Sequence, residues 1–346
     1  MRFCLDETAL ALREAAAGLL TAQVSPEVIR AGWPGGQEDL AAAVWRKLAG
    51  VGALGTLVPA QRGGLGLDEN SLVPLLEEVG RSGLPGPAAE TIAVAAPLLA
   101  GAGLDGAGLD GAGLGGTALA GVLAGETMVA AQLGGGTLVP HGSQAPLIVL
   151  RAGDGLRLYE RAALALEPCA AIDGSRGAAR LLSRPASGGT LLTEDPAAIE
   201  AAWRRGVLAT SALLTGLSLR MLDLTVGYVR QREQFGVPVG SFQAIKHALA
   251  SALLAVEFAR PLVLAAAWYQ AAGAPEAANH VSAAKVAAAD AARLVTRTGI
   301  QCHGAMGYTT EYELHLFAKR AWALIPGWGS PDWHRARLAS ALGVCP

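Results

Sequence analysis

A chain of 346 residues, 52% hydrophobic and 16% charged, with a net charge of -2, is long enough for two domains or one large domain with a sizeable core. No basic excess is available to neutralise phosphates, so the composition excludes a nucleic-acid binder. The apolar excess is largely alanine, a helix former, and no clean apolar run reaches ~18 residues, so no transmembrane helix and no membrane partner are expected.

The N-terminus, MRFCLDETALALREAA, places acids and an arginine where a signal peptide needs an apolar centre. Cys4, Cys169, Cys302 and Cys345 are scattered, with no C-x-x-C pair, and read as reduced thiols of a cytoplasmic protein, with no metal site. Residues 1–125 read as helices. LDETALALREAAAGLL has Asp6 and Glu7 in its first turn, and QEDLAAAVWRKLAG has Leu40, Val44, Trp45 and Leu48 at helical spacing. The glycine-rich LVPAQRGGLGLD between helices reads as a turn. GAGLDGAGLDGAGL at 101–114 fits no solenoid period and reads as an expanded surface loop.

From 126 to 194 short apolar runs are separated by Gly, Pro and Asp turns, the pattern of a small β domain. Helix returns at 195, where Asp195 suits an N-cap and Pro196 a first turn. Helices are expected over 196–231, 242–272, 275–299, 311–324 and 331–342, connected shortly enough for an antiparallel bundle. Between the first two lies RQREQFGVPVGSFQAIKH, residues 230–247, a charged and aromatic knuckle broken by Gly236, Pro238 and Gly240.

This order, with REQFGVPVGSFQ (232–243), QCHGAMGYTTEYELHLFAKRA (301–321) and the N-terminal LAGVGALGTLVPAQRGGLGL, resembles the acyl-CoA dehydrogenase family over nearly the whole chain. The resemblance implies a mainly α fold: an N-terminal helical domain (1–125), a reduced middle β domain (126–194) and a C-terminal four-helix-type bundle (195–346). It also implies FAD as cofactor, with the two C-terminal motifs embracing the ADP half of a flavin held mainly by a neighbouring subunit. On that footing the cofactor-binding residues are Arg232, Gln234, Phe235, Gly236, Gln243, Gln301, Cys302, His303, Gly304 and Ala305. The residue types suit the task. A guanidinium fork clamps a pyrophosphate, Phe235 offers adenine a flat apolar face, and the amides of Gln243 and Gln301 both donate and accept. Gly304 and Gly307 allow close approach of backbone to the cofactor.

The family reaction needs a carboxylate base, and the matching positions lack one. Where the family carries a Tyr-Glu-Gly-Thr-like run, this chain reads IPGWGSPDW, with Trp328 at the glutamate position. The alternative place on the preceding long helix falls near Gly206, and no carboxylate occurs from Ala201 to Met221. Glu200 and Asp332 are the nearest acids and read as helix-end charges. The flavin-ring motif, Thr-Glu-Pro followed by Gly-Ser-Asp, is absent near MVAAQLGGGTLV, and LTEDP at 192–196 is a decoy at the start of the long helix. His303 lies inside the second motif, where a cofactor contact is expected. His141, His247, His280, His315 and His334 are expected in surface or packing roles.

The pattern resembles non-catalytic subunits of actinobacterial α2β2 acyl-CoA dehydrogenases that act on sterol side-chain CoA thioesters. The resemblance implies a catalytic partner subunit, an acyl-CoA substrate and an acceptor such as electron-transfer flavoprotein. A self-sufficient dehydrogenase with a displaced carboxylate, and a flavin-free structural or binding paralogue, are the competing readings.

Overall fold

The computed structural model describes residues 5–102 and 114–344; the interior of the GAGLD repeat lies outside the described residues. The N-terminal part is helical: α1 Glu7–Gln23, α2 Pro26–Ala31, α3 Glu38–Gly50, α4 Glu69–Ser82, a π-helical stretch Ala89–Ala95 running into α5 Ala96–Gly101, and α6 Leu114–Leu123. Asp6 caps α1, its carboxylate accepting from the Ala9 N–H at 2.7 Å, as its place before the apolar run predicts.

The middle of the chain forms two small sheets. The first has the order β1 (Val129–Gln132), β3 (Leu147–Ala152), β4 (Gly155–Glu160), β7 (Thr190–Thr193), with β1 and β3 parallel and the other pairs antiparallel. The second has the order β2 (Leu138–Val139), β6 (Ala179–Leu181), β5 (Leu166–Pro168). The β3–β4 hairpin turns at Gly153-Asp154, and Gly153 takes φ +58°, the left-handed backbone that a tight hairpin turn demands.

The C-terminal part begins with α7, Pro196–Gln231, roughly 54 Å long at 1.5 Å per residue. Asp195 caps it, its carboxylate accepting from the Ala197 and Ala198 N–H groups. A two-strand ribbon follows, β8 Glu233–Gln234 and β9 Val237–Pro238, then α8 Gln243–Ala271, α9 Ala277–His303, α10 Leu314–Leu324 and α11 Pro331–Ala341. The third long helix runs four residues past the expected end at 299, because Gly304, at φ +58°, is the first residue that stops it. Gln301, Cys302 and His303 therefore occupy a helical turn and not a loop.

α7 packs against α4, α8 and α9, and the N-terminal helices and the bundle share one apolar core that includes Trp45, Leu72, Leu208 and Val281. The crossing of α4 and α7 is set by glycine. A Cβ at Gly216 would stand 1.9 Å from the Glu77 carbonyl oxygen, so only a bare backbone fits. Buried Thr210, Ser211, Ser218 and Thr225 on α7 donate to carbonyls one turn back, which satisfies their hydroxyls inside the core.

The expectation that no helix could span a membrane needs amending on length and composition: α7 and α8 both qualify, although 78% of the α7 window is buried inside the protein. Only 28% of the α8 window is buried, and Leu253, Leu254, Phe258 and Leu262 on α8 are exposed. The chain thus keeps an apolar helix face with no cover of its own.

Candidate active site

The knuckle folds as a projecting ribbon. β8 and β9 pair antiparallel, and Phe235 and Gly236 form the turn with φ +54° and +76°. Positive φ at both central residues is a hairpin geometry that glycine tolerates and phenylalanine does not favour. Phe235 is 93% exposed, with only an edge contact to Phe242 at 6.3 Å between ring centroids. Arg232 ends α7, its N–H donating to the Tyr228 carbonyl, while its exposed guanidinium makes no hydrogen bond or ion pair among the described residues. Gln243, the first residue of α8, and Gln301, on the last turn of α9, are likewise exposed. Gln234 spends one amide hydrogen on the Glu233 carbonyl. Exposed donors of this kind suit a flat, ribose-bearing anion offered from outside the chain, so the residues present fit the ADP half of FAD.

The second motif divides. Gln301, Gly304 and Ala305 are exposed and Cys302 is half-buried, whereas His303, expected at the cofactor, is buried within this chain. Its Nδ1–H donates to the Gly299 carbonyl at 2.7 Å, and its ring stacks on Tyr228 at 4.3 Å and lies 4.8 Å from Tyr312. Burial pushes its pKa down. The imidazole is an internal packing group because the α9 C-terminal turn directs it toward α7, away from the exposed glutamine.

The two positions expected for a base converge. A Cβ at Gly206 would lie 2.5 Å from Cε3 of Trp328, so the indole rests on the α7 backbone where a side chain would project. Trp328 itself sits at φ +58°. Three basic side chains from three elements hold the segment that carries it. Arg176 Nη1 donates to the Ala323 carbonyl at 2.7 Å, Lys285 Nζ to the Leu324 carbonyl at 3.0 Å, and His334 Nε2–H to the Trp328 carbonyl at 3.0 Å. His334 Nδ1 then accepts from the Ser282 hydroxyl. Two of these cations meet the C-terminal carbonyls of α10, the end of a helix that favours positive charge. Burial drives the Lys285 pKa down to about 7 and that of His334 to about 4.

Glu200 and Asp332 are both engaged in ion pairs, Glu200 with Arg337 at 2.8 Å and Asp332 with Arg335 at 2.7 Å. The acid beside Trp328 is one that sequence reading passed over. Glu90, on the π-helical stretch, is 3% exposed, lines the same cleft as Trp328 and faces Arg176 at 3.8 Å. Burial pushes its carboxyl up, against the pull of Arg176. Together with β1 and the 326–329 loop, Glu90 borders a cleft of about 300 Å³. Behind Glu90 and Arg176, between α4 and α7, only about 20 Å³ of space remains. Arg320 was also legible only as part of FAKRA. Its guanidinium binds Asp173 at 3.1 Å, the Gly83 and Leu84 carbonyls at 2.7 Å and the Ser175 hydroxyl, tying α10 to the middle sheets and to the end of α4. Burial alone would raise the Asp173 carboxyl, but Arg320, the Ser175 hydroxyl and Arg176 together hold it below its ordinary range.

Comparison with known proteins places this geometry. Residues 6–108 match the acyl-CoA dehydrogenase N-terminal domain and 198–343 the acyl-CoA dehydrogenase C-terminal domain. The chain is 31% identical to acyl-CoA dehydrogenase IpdE2 of Mycobacterium tuberculosis over 97% of both chains. It is 33% identical to acyl-CoA dehydrogenase FadE34 of the same organism over 84% of this chain and 40% of that one. The fold superposes on the Tcur3481-Tcur3483 steroid ACAD with a TM-score of 0.83 and 26% identity, covering 98% of this chain and 99% of that one. The ChsE4-ChsE5 complex from M. tuberculosis, at 24% identity and a TM-score of 0.81 over the full length of both chains, shares the fold. With both domain matches and a full-length relative above 30% identity, the chain belongs to the acyl-CoA dehydrogenase family, whose members are FAD-dependent oxidoreductases.

Proposed function

We propose that this chain is the non-catalytic subunit of a heteromeric acyl-CoA dehydrogenase, acting in α,β-dehydrogenation of a CoA thioester. It supplies the ADP clamp for FAD at the interface, while the partner supplies the base and the flavin-ring pocket. The observation that carries this reading is the contact of the Trp328 ring with Gly206, which leaves no carboxylate at either position from which the α-proton is taken. The lone pair of an indole nitrogen is tied up in the aromatic ring and cannot accept that proton.

The exposed donors of Arg232, Gln243 and Gln301 and the bare apolar face of α8 each suit a neighbouring subunit. When bound, the flavin supplies acceptance of the hydride; this chain's share is to hold its pyrophosphate through Arg232 and its adenine against Phe235. Kinship with the Tcur3481-Tcur3483 steroid ACAD suggests a two-component assembly and a steroid-derived CoA thioester. An acceptor such as electron-transfer flavoprotein and a cytoplasmic setting complete the proposal.

The test is purification with and without the acyl-CoA dehydrogenase partner encoded by the same host, followed by an absorption spectrum and turnover with an artificial electron acceptor. The chain alone is expected to be colourless and inactive, and the complex yellow and active. A yellow, active single chain would overturn the reading.

A further inference from the structure

The two halves of the proposed clamp lie far apart in the chain, on the ribbon after α7 and on the last turn of α9, yet both are tied to the same turn of α7. On the ribbon side, the Arg232 N–H donates to the Tyr228 carbonyl at 2.9 Å and the Val239 N–H to the Arg232 carbonyl at 2.8 Å. Gly240 presses on that turn as well, since a Cβ there would stand 2.9 Å from the Val229 carbonyl oxygen. On the α9 side, the His303 ring packs on two tyrosines, stacked on Tyr228 at 4.3 Å between ring centroids and tilted against Tyr312 at 4.8 Å.

The tyrosine hydroxyls join the helices in opposite directions. Tyr228, on α7, donates to the His303 carbonyl at the end of α9 at 3.4 Å; Tyr312, in the segment after α9, donates to the Leu224 carbonyl of α7 at 3.3 Å. One turn deeper, a Cβ at Gly299 would stand 3.1 Å from the Thr225 hydroxyl oxygen, so α7 and α9 run in close contact up to the stack. The His303 Nδ1–H donates to the Gly299 carbonyl at 2.7 Å, and Nε2 has no partner among the described residues, so the ring is oriented by that one bond and by its stacking. Tyr228 lies one turn before Arg232, and His303 two residues after Gln301. Both of those side chains are exposed, so their spacing is set by the backbones that the stack joins.

We propose that His303 is a positioning residue: packed on Tyr228 and Tyr312, it fixes the span between Arg232 and Gln301 so that both arms meet the same ADP group. It touches no cofactor itself and acts through Gln301 on the same turn of α9. The inference rests on the reading of the two motifs as an ADP clamp.

The test is a FAD titration of the reconstituted, flavin-depleted complex, followed by flavin fluorescence, with the melting temperature of each isolated variant chain measured alongside. His303→Ala should weaken FAD binding about three- to tenfold, the range of one lost hydrogen bond. His303→Phe, which keeps a ring against both tyrosines, should bind within about twofold of the unaltered complex. Gln301→Ala should weaken binding to a similar degree as His303→Ala, and the double variant should be no weaker than Gln301→Ala alone, because a positioning residue acts through the group it positions. Val281→Ala, a cut in the core at the far end of α9, should lower the melting temperature and leave the titration unchanged, which separates positioning from stability. If His303→Ala does not fold, Tyr228→Leu, which removes the stack from the α7 side, takes its place. Normal FAD binding by a folded His303→Ala, additive losses in the double variant, or a His303→Phe as weak as His303→Ala would each overturn the proposal. Arg232→Ala separates the two levels. If it and Gln301→Ala bind FAD normally, the clamp falls and this inference with it; if they weaken binding and His303→Ala does not, this inference alone falls.

Discussion

Arg232 and Arg176 place the same guanidinium at opposite ends of the solvent scale. Arg232 stands exposed at the end of α7, beside a ribbon whose phenylalanine tip is 93% exposed, with no partner of its own among the described residues. Arg176 is buried, with one nitrogen on the Ala323 carbonyl and Glu90 across from another. Water solvates the first without penalty, so its residue type matters only when something docks. The second must be used by the fold, since an unpaired buried charge is destabilising by several kcal/mol. One region is left open to solvent, and the other holds the Trp328 segment in place.

The sharpest way to break this contrast is to restore a carboxylate at Gly206. Gly206→Glu must displace an indole that already meets the Cβ position at 2.5 Å, and overpacking together with burial of a charge should remove about 3 kcal/mol of stability. Urea unfolding reads the loss; a variant as stable as the parent would mean that Trp328 does not fill the base position.

Arg232→Ala should do the reverse. It leaves the unfolding midpoint of the isolated chain within about 0.5 kcal/mol, since surface changes rarely do more. In the reconstituted complex it should weaken FAD binding about ten- to a hundredfold, the range of one lost charge-assisted contact, and Arg232→Lys should recover only part because an ammonium cannot form a fork. A FAD titration with each variant decides.

Acid should act on the buried region alone. His334 is held down to about 4 in the fold, so between pH 4 and its ordinary value of 6.5 the unfolded chain binds the extra proton. Its contribution is present above that window and is lost as pH falls through it, by about 1.4 kcal/mol per pH unit. His141, held down to about 3 by burial and by Arg176, adds a similar slope. His303 and His315 are lowered by burial in the same direction, so stability measured from pH 6.5 to 4.5 should fall, and His334→Gln should flatten the slope in part.

The smallest effect should come from Phe235→Gly. It relieves a non-glycine residue at φ +54° but adds freedom to the unfolded chain, so the isolated chain should gain only about 0.5 kcal/mol. The complex should hold FAD less tightly through loss of the adenine-facing ring. A gain in stability with no loss of cofactor would show that the strained tip serves something other than FAD.

Much of this molecule is set by local sequence. Asp195-Pro196 starts α7, Gly304 stops α9, and Gly153-Asp154 turns the β3–β4 hairpin. Each signal acts within a turn of chain, where capping and φ preferences operate. The motifs on which the proposed clamp rests, and the lack of a carboxylate at Gly206 and Trp328, are read for the same reason, as short runs with fixed spacing. What the sequence did not disclose was convergence. Nothing local announces that Glu90 meets Arg176 and Trp328, that Lys285 reaches the Leu324 carbonyl, or that His303 turns inward onto Tyr228. Those pairings are decided by how the π-helical stretch, the middle sheets and α9 pack around α7. Burial then forces each polar group to find whichever partner the packing brings, and that choice belongs to the tertiary structure.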